Sequence, residues 1–407
     1  MIITLIIIAS AFVIIYFVFN YKPKQKESLR DLYTEGLDLM VDGHRQGAYE
    51  NFKKIISKDT ANVKAYIKLG QVIREGGNPA NALKIHSSVS LRRGLTYYER
   101  VELLKNISLD YYNLKKVDQA IQQCHKILKI NKKNDWALNK LIYFYQKEKD
   151  WFNAKKYLEL KLKNSGKSDN RSLALYKIQE GRFFLSKADF EKSRKCFEDA
   201  LVICSDVSIA YYFIGESYSQ ESDAVYVEAE QKSQINISSD LHKEYAGEME
   251  RAREILAKAI EKWISYAKLK PESSWMVIHF LKDALFALDR YNEIEVVLKE
   301  ILDKDSDNVD VIAALADYYN HMGDSVSALK IIDSGLEKDD SSLLVRLIRL
   351  KLLFSDKDSR NTSIKNELDC LIKDLVKNID YQVYKNTSTD KDALWLYSMS
   401  DNKEYSK

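Results

Sequence analysis

Apolar and small residues recur along this chain with a helical period nested inside a longer one. The interval from Gly36 to Gly70 is repeated from Ala48 to Ala82. The large residues beside them, Leu37, Met40, Phe52, Ile55 and Ile56, fall at the i, i+3, i+4 spacing of a single helix face. A unit of this length, about 34 residues, holds two helices and a turn. The pattern therefore predicts a series of helical hairpins whose small residues let paired helices approach closely.

The small position near the start of each second helix continues as Ala48, Ala82, Ala120, Ala154, Ser193, Ala252, Ile294 and Ala328. The steps Ala48 to Ala82, Ala120 to Ala154 and Ile294 to Ala328 are equal, and every other step is longer. Its counterpart in the first helix lies twelve residues earlier, at Gly36, Gly70, Ser108, Gly181 and Ala316. Gly76-Gly77-Asn78-Pro79 and Gly323-Asp324 are turn and helix-start signals between helices. Gly215 opens a sixth hairpin, but its partner Ala252 follows well beyond the usual twelve residues. An insertion over 221–248 accounts for the excess. Two readings of the insertion stand. It is a tolerated surface loop or extended helix, or it is a partner-specific contact.

Ahead of the repeats, residues 2–19 read IITLIIIASAFVIIYFVF, without a charge. Eighteen residues at helical rise span roughly 27 Å, which fits a bilayer core. A transmembrane anchor is expected over 1–21, with Tyr16 and Tyr21 at the interfaces. A cleaved signal peptide needs basic residues before the apolar stretch and small residues after it, and neither is present. Lys22, Lys24, Lys26 and Arg30 all follow the span; a basic juxtamembrane linker occupies 22–28. Positive charge on that side places the C-terminal part in the cytoplasm. The rest divides into a repeat array of about eight to nine hairpins over 29–355, a terminal helix over 356–380 and a tail over 381–407.

Composition adds exclusions. Three prolines, thirteen glycines and 45% hydrophobic residues suit an all-α chain. Lys+Arg 63 against Asp+Glu 60 leaves a net charge of +3, with the signs interspersed, so nothing calls for nucleic acid. Cys124, Cys196, Cys204 and Cys370 form no C-x-x-C pair. The six histidines make no H-E-x-x-H helix, and no G-x-S-x-G, phosphate loop or dinucleotide fingerprint is present. No enzyme activity and no cofactor are expected. The first helices of such hairpins line the concave face, and residues counted there include Tyr33, Ile67, Arg74, Lys105, Tyr112, Asn139, Tyr143, Arg182 and Tyr212. This composition suits a peptide-binding groove; it equally suits a solvated face with snorkelling stems.

LYTEGLDLMVDGHRQGAYENFKKIISKDTANVKAYIKLGQVIREGGNPANALKIHSSV, followed by LTYYER, resembles the first two repeats of the lipopolysaccharide assembly protein B family. The resemblance is strongest over 1–165 and continues in the same order to about 380. It implies one N-terminal anchor in the inner membrane, a cytoplasmic tetratricopeptide array and a small C-terminal rubredoxin-type zinc module. It further implies an adaptor that presents the lipid A deacetylase to a membrane AAA+ protease and associates with lipopolysaccharide transport components; a homodimer stays open. The alternative is a generic membrane-tethered scaffold or chaperone for envelope assembly.

The C-terminus departs from that family. Aligning its two knuckles puts Val383, Asn386, Tyr397 and Ser400 where the zinc thiolates would stand, with Trp395 two residues before the second knuckle. No metal is expected. Either a degenerate module survives without zinc, or 381–407 is an unrelated polar tail. A surviving module would be held by Tyr381, Trp395 and Tyr397 against the last repeats, near Leu375 and Val376.

Overall fold

A computed structural model describes residues 28–235, 239–353, 366, 368–373, 375–376 and 390–400. Every regular element among them is helical. No helix among the described residues is long and apolar enough to cross a membrane. The anchor expected over 1–21 and the linker over 22–28, Ser28 apart, lie outside the described residues, as do Val383 and Asn386.

The chain divides into two compact units, 1–144 and 145–407. In the first, α1 (Leu29–Val41) pairs with α2 (Arg45–Lys58), α3 (Val63–Glu75) with α4 (Pro79–Ser90), and α5 (Tyr97–Asn113) with α6 (Val117–Ile130). Helix α7 (Asp135–Lys147) runs across the division. The second unit holds α8 (Trp151–Ser165), α9 (Asn170–Leu185), α10 (Phe190–Ile203), α11 (Ile209–Ile235) and α12 (Ser239–Leu269). It continues with α13 (Trp275–Ala287), α14 (Tyr291–Leu302), α15 (Val309–His321), α16 (Ser325–Lys338), α17 (Leu343–Leu353) and a C-terminal α18 (Lys391–Ser400).

Short polar side chains set the helix starts. Asn62, Asn78, Asp150, Asp169, Asp189, Asn308 and Asp324 each accept from the backbone N–H three residues on, satisfying a donor the first turn leaves open. Thr96 and Glu99 form a reciprocal capping box at α5.

The seams are built as the period demands. Ala48, Ala82, Ala120, Ala154, Ser193 and Ala328 are wholly buried, and Ala252 and Ile294 nearly so. Opposite each first-helix glycine stands a large side chain. A Cβ added at Gly36 would lie 3.0 Å from Phe52, at Gly70 2.3 Å from His86, and at Gly181 2.5 Å from Phe197. Each partner is sixteen residues downstream, one hairpin turn away. In α11 the insertion shifts this partner, and Gly215 meets Trp263 instead, at 2.5 Å. The added residues lengthen both helices of that hairpin, to 27 and 31 residues.

Several turns pass through the left-handed region, where L side chains are disfavoured. Gly43, Gly77 and Gly323 hold positive φ without strain. Lys115, Lys149, Ala188 and Asp289 adopt it with a Cβ, at φ between 57° and 60°.

Candidate protein-binding surfaces

The residues counted to the concave face occupy four settings. Tyr33 and Lys105 line an open cleft of about 900 Å³ in the first unit, with Lys64, Lys68, Tyr97 and Glu102. The Thr96–Glu99 box fixes where α5 begins and so places Tyr97 and Tyr98 at the cleft. Tyr98 is 81% exposed and packs edge-on against Tyr97 with ring centroids 5.3 Å apart. Lys105 pairs with Glu102 at 3.3 Å and lies over the Trp136 ring at 5.7 Å. Burial, and then the Glu102 charge, push the Tyr33 phenol up. The T-x-x-E signal at 96–99 was readable in the sequence and marks a cleft edge that the concave-face count missed.

Tyr112 and Tyr143 form a second cluster. Their hydroxyls meet at 2.9 Å, and Tyr112 stacks on Phe144 with centroids 4.9 Å apart. Asn139 is exposed and donates to Asp135 at 2.9 Å.

Arg74 is not on an exposed face. It is 6% exposed and bridges α3 to α5, donating to Asp110 at 3.0 Å and to the Asn106 side chain at 3.1 Å. The wholly buried His86 completes the cluster: Nδ1 meets the second Asp110 oxygen, and Nε2 reaches the Ile67 carbonyl at 3.1 Å. Arg74 thus ties two hairpins together. The helical period cannot separate a groove-facing position from one facing the next hairpin, because both lie on one stripe.

Arg182 and Tyr212 lie in the second unit, beneath α18. Arg171 grips Asp392 with two bonds, at 2.9 and 2.7 Å. Gln179 and Arg182 both donate to the Leu396 carbonyl, at 2.9 and 3.0 Å. Trp395 packs on Tyr176 with centroids 5.3 Å apart, and the Tyr397 ring lies 5.2 Å from the Arg182 guanidinium. Ala393 and Leu396 are buried, and Tyr212 is 4% exposed. Burial pushes the Tyr212 phenol well up, with the neighbouring Tyr397 adding to it.

The tail expectation changes here. Tyr397 and Ser400, aligned with the second knuckle, belong to one α-helix. KDALWLYSMS contains no Gly or Pro to make a knuckle turn, and its Ala393, Leu396 and Tyr397 share a face. The aromatic residues of α18 pack on α9, not on the last repeats near Leu375 and Val376.

A small cavity of about 130 Å³ in the second unit is walled by Trp275, Ile278 and Leu344 at one side and by Lys282, Asp317 and Lys351 at another. Asp317 accepts from Lys282 at 2.5 Å and from Lys351 at 2.7 Å. The two ammonium groups hold its carboxyl far below the usual range against the opposing cost of burial. Among the described residues no group of His, Cys, Asp and Glu converges to hold a metal. Burial raises the Cys124 thiol to about 11, which makes it a poor nucleophile.

No protein-family profile matches the chain. Over 208 residues it is 23% identical to lipopolysaccharide assembly protein B of Escherichia coli K12, covering 43% of this chain and 53% of that protein. The same figures hold for the protein of that name from Escherichia coli O157:H7. The chain therefore spans about half the length of the curated relatives it matches. Among solved structures, a tetratricopeptide repeat protein from Parabacteroides merdae is 11% identical over 80% of this chain and 98% of its own, with a TM-score of 0.33. PilF of Pseudomonas aeruginosa is 18% identical over 44% and 78%, also with a TM-score of 0.33. Among the described residues the chain is an all-helical series of repeating hairpins, and it has distant similarity to lipopolysaccharide assembly protein B.

Proposed function

We propose that this chain is an inner-membrane-anchored, cytoplasm-facing tetratricopeptide adaptor that regulates lipopolysaccharide synthesis and assembly. It presents the lipid A deacetylase to a membrane AAA+ protease and contacts lipopolysaccharide transport components. The observation that carries this reading is the match over 208 residues to lipopolysaccharide assembly protein B. The open cleft edged by Tyr97, Tyr98 and Lys105 supports it, because exposed aromatic side chains beside cations suit a protein partner. So does the apolar stretch 2–19: a tether keeps two partners in one plane and raises their effective concentration without new contacts.

The experiment places a photo-crosslinking residue at Tyr98 of the full chain in intact cells. Adducts with the deacetylase, the protease or a transport component are the expected result. Adducts with none of them, at normal expression, would overturn the assignment.

A further inference from the structure

Helix α18 does not reach α9 by chain continuity. The segment 354–390 separates Leu353, the end of α17, from Lys391. Nor does α18 pack as the hairpin seams do, where a glycine receives a ring or imidazole. Polar anchors hold it instead: Arg171 on Asp392, and Gln179 with Arg182 on the Leu396 carbonyl. A side chain that donates to a backbone carbonyl reads the presence of a helix and not its residue at that position. We propose that the face of α9 and α11 under α18, from Arg171 to Tyr212, is a docking surface for a short partner helix with an acidic first turn and a leucine–aromatic face. Helix α18 is this chain's own occupant of that surface, displaced when the partner binds. The idea rests on the protein-binding reading above and adds the site and the chemistry of the bound segment.

The fit of α18 is incomplete, which suits a removable occupant. The Asp390 Oδ2 is buried without a hydrogen-bond partner. Burial pushes the Asp390 carboxyl up, and the Glu216 carboxyl close to Tyr397 is pushed up in the same way. Burial thus disfavours the ionised form of both carboxylates. Other features are specific. Arg171 is 42% exposed and also bonds Asp206 at 3.2 Å, so a cation waits at the surface with an acidic residue on either side. Leu396 fills the apolar centre and is wholly buried. Trp395 and Tyr397 flank it on Tyr176 and Arg182. A partner helix repeating Asp, Trp, Leu and Tyr at these spacings satisfies every anchor and need not bury an Asp390 equivalent.

The test uses the purified full chain in detergent and a fluorescein-labelled peptide of residues 390–400. Leu396→Asp or, separately, Asp392→Arg in the chain should evict α18. Each variant should bind the peptide at least tenfold more tightly than the unsubstituted chain, by anisotropy. Adding Arg171→Glu to the Leu396→Asp variant should weaken capture about tenfold, and a peptide carrying Asp392→Arg should restore it. A second peptide that keeps only Asp392, Ala393, Trp395, Leu396 and Tyr397, with alanine elsewhere, should compete equally. Equal or absent capture by both evicting variants, with unchanged helical circular dichroism, would overturn the proposal. So would failure of the second peptide, or light scattering showing that a second copy of the chain fills the site. Capture by peptide and partner turnover in cells are separate readouts, so either reading can fail without the other.

Discussion

Arg171 and Asp392 are joined by two hydrogen bonds across 221 residues of sequence. They fix the start of α18 against the start of α9. Because the guanidinium is 42% exposed, the pair is screened, and its coupling should be about 1 kcal/mol. A double-mutant cycle with Arg171→Ala and Asp392→Ala, followed by hydrogen exchange of amides 391–400, measures it. A coupling of zero would mean that the apolar face and the two bonds to the Leu396 carbonyl seat the helix without this pair.

Gly70 faces the imidazole of His86 with no room for a Cβ. Gly70→Leu should overpack the seam and dislodge His86 from Asp110, costing about 1–3 kcal/mol. Hairpins couple to their neighbours, so exchange should quicken in α1–α6 and stay unchanged in α13–α16. Equal loosening of both units would contradict that locality.

Arg74 behaves as an interior residue. Asp110 is wholly buried, and removing its guanidinium partner leaves its carboxylate to His86. Arg74→Met should destabilise the first unit by about 3 kcal/mol or more in urea unfolding, the usual cost of breaking a buried pair. A loss below about 0.5 kcal/mol would return Arg74 to the surface.

The turns also carry strain. Ala188 sits at φ 57°, whereas Gly77 and Gly323 hold similar turns with no Cβ. Ala188→Gly should raise stability by about 0.5–1 kcal/mol, and Gly77→Ala should lower it by about as much. Thermal unfolding of the two variants against the parent checks both signs, and a destabilised Ala188→Gly would refute the strain.

The repeat period, the small positions and the capping residues expose the hairpins in the sequence because each acts within one or two neighbouring helices. Thr96-Tyr97-Tyr98-Glu99 even marks the cleft edge. The docking of α18 leaves no such trace. Arg171 and Asp392 are ordinary surface charges until the chain folds, and no local rule pairs them. Lys115 and Lys149 hide their left-handed turns for a different reason: backbone bonds close the helix ends there, from Lys116 N–H to the Tyr111 carbonyl and from Asp150 N–H to the Tyr145 carbonyl, without the glycine that would announce them. Tyr397 and Ser400, which spacing aligns with a knuckle, lie in one helix because no turn former stands between them.

Acidity should act in opposite senses at two places. Asp317 is held low by Lys282 and Lys351, so its stabilisation is present at neutral pH and is lost as pH falls below the ordinary carboxylate range. Asp390 and Glu216 are raised by burial, so the folded state binds their protons more tightly than the unfolded one does. Seating of α18 should therefore strengthen as pH falls from neutrality toward the ordinary carboxylate range. Hydrogen exchange of 391–400 that slows over that interval agrees; exchange that quickens, after correction for intrinsic rates, disagrees.

The adaptor claim is tested most directly by the half-life of the lipid A deacetylase after protein synthesis is stopped, in cells with and without this chain. The account predicts a half-life several-fold longer without it, and the same lengthening when residues 1–20 are deleted and the repeats lose their tether. An unchanged half-life in both strains would contradict the account.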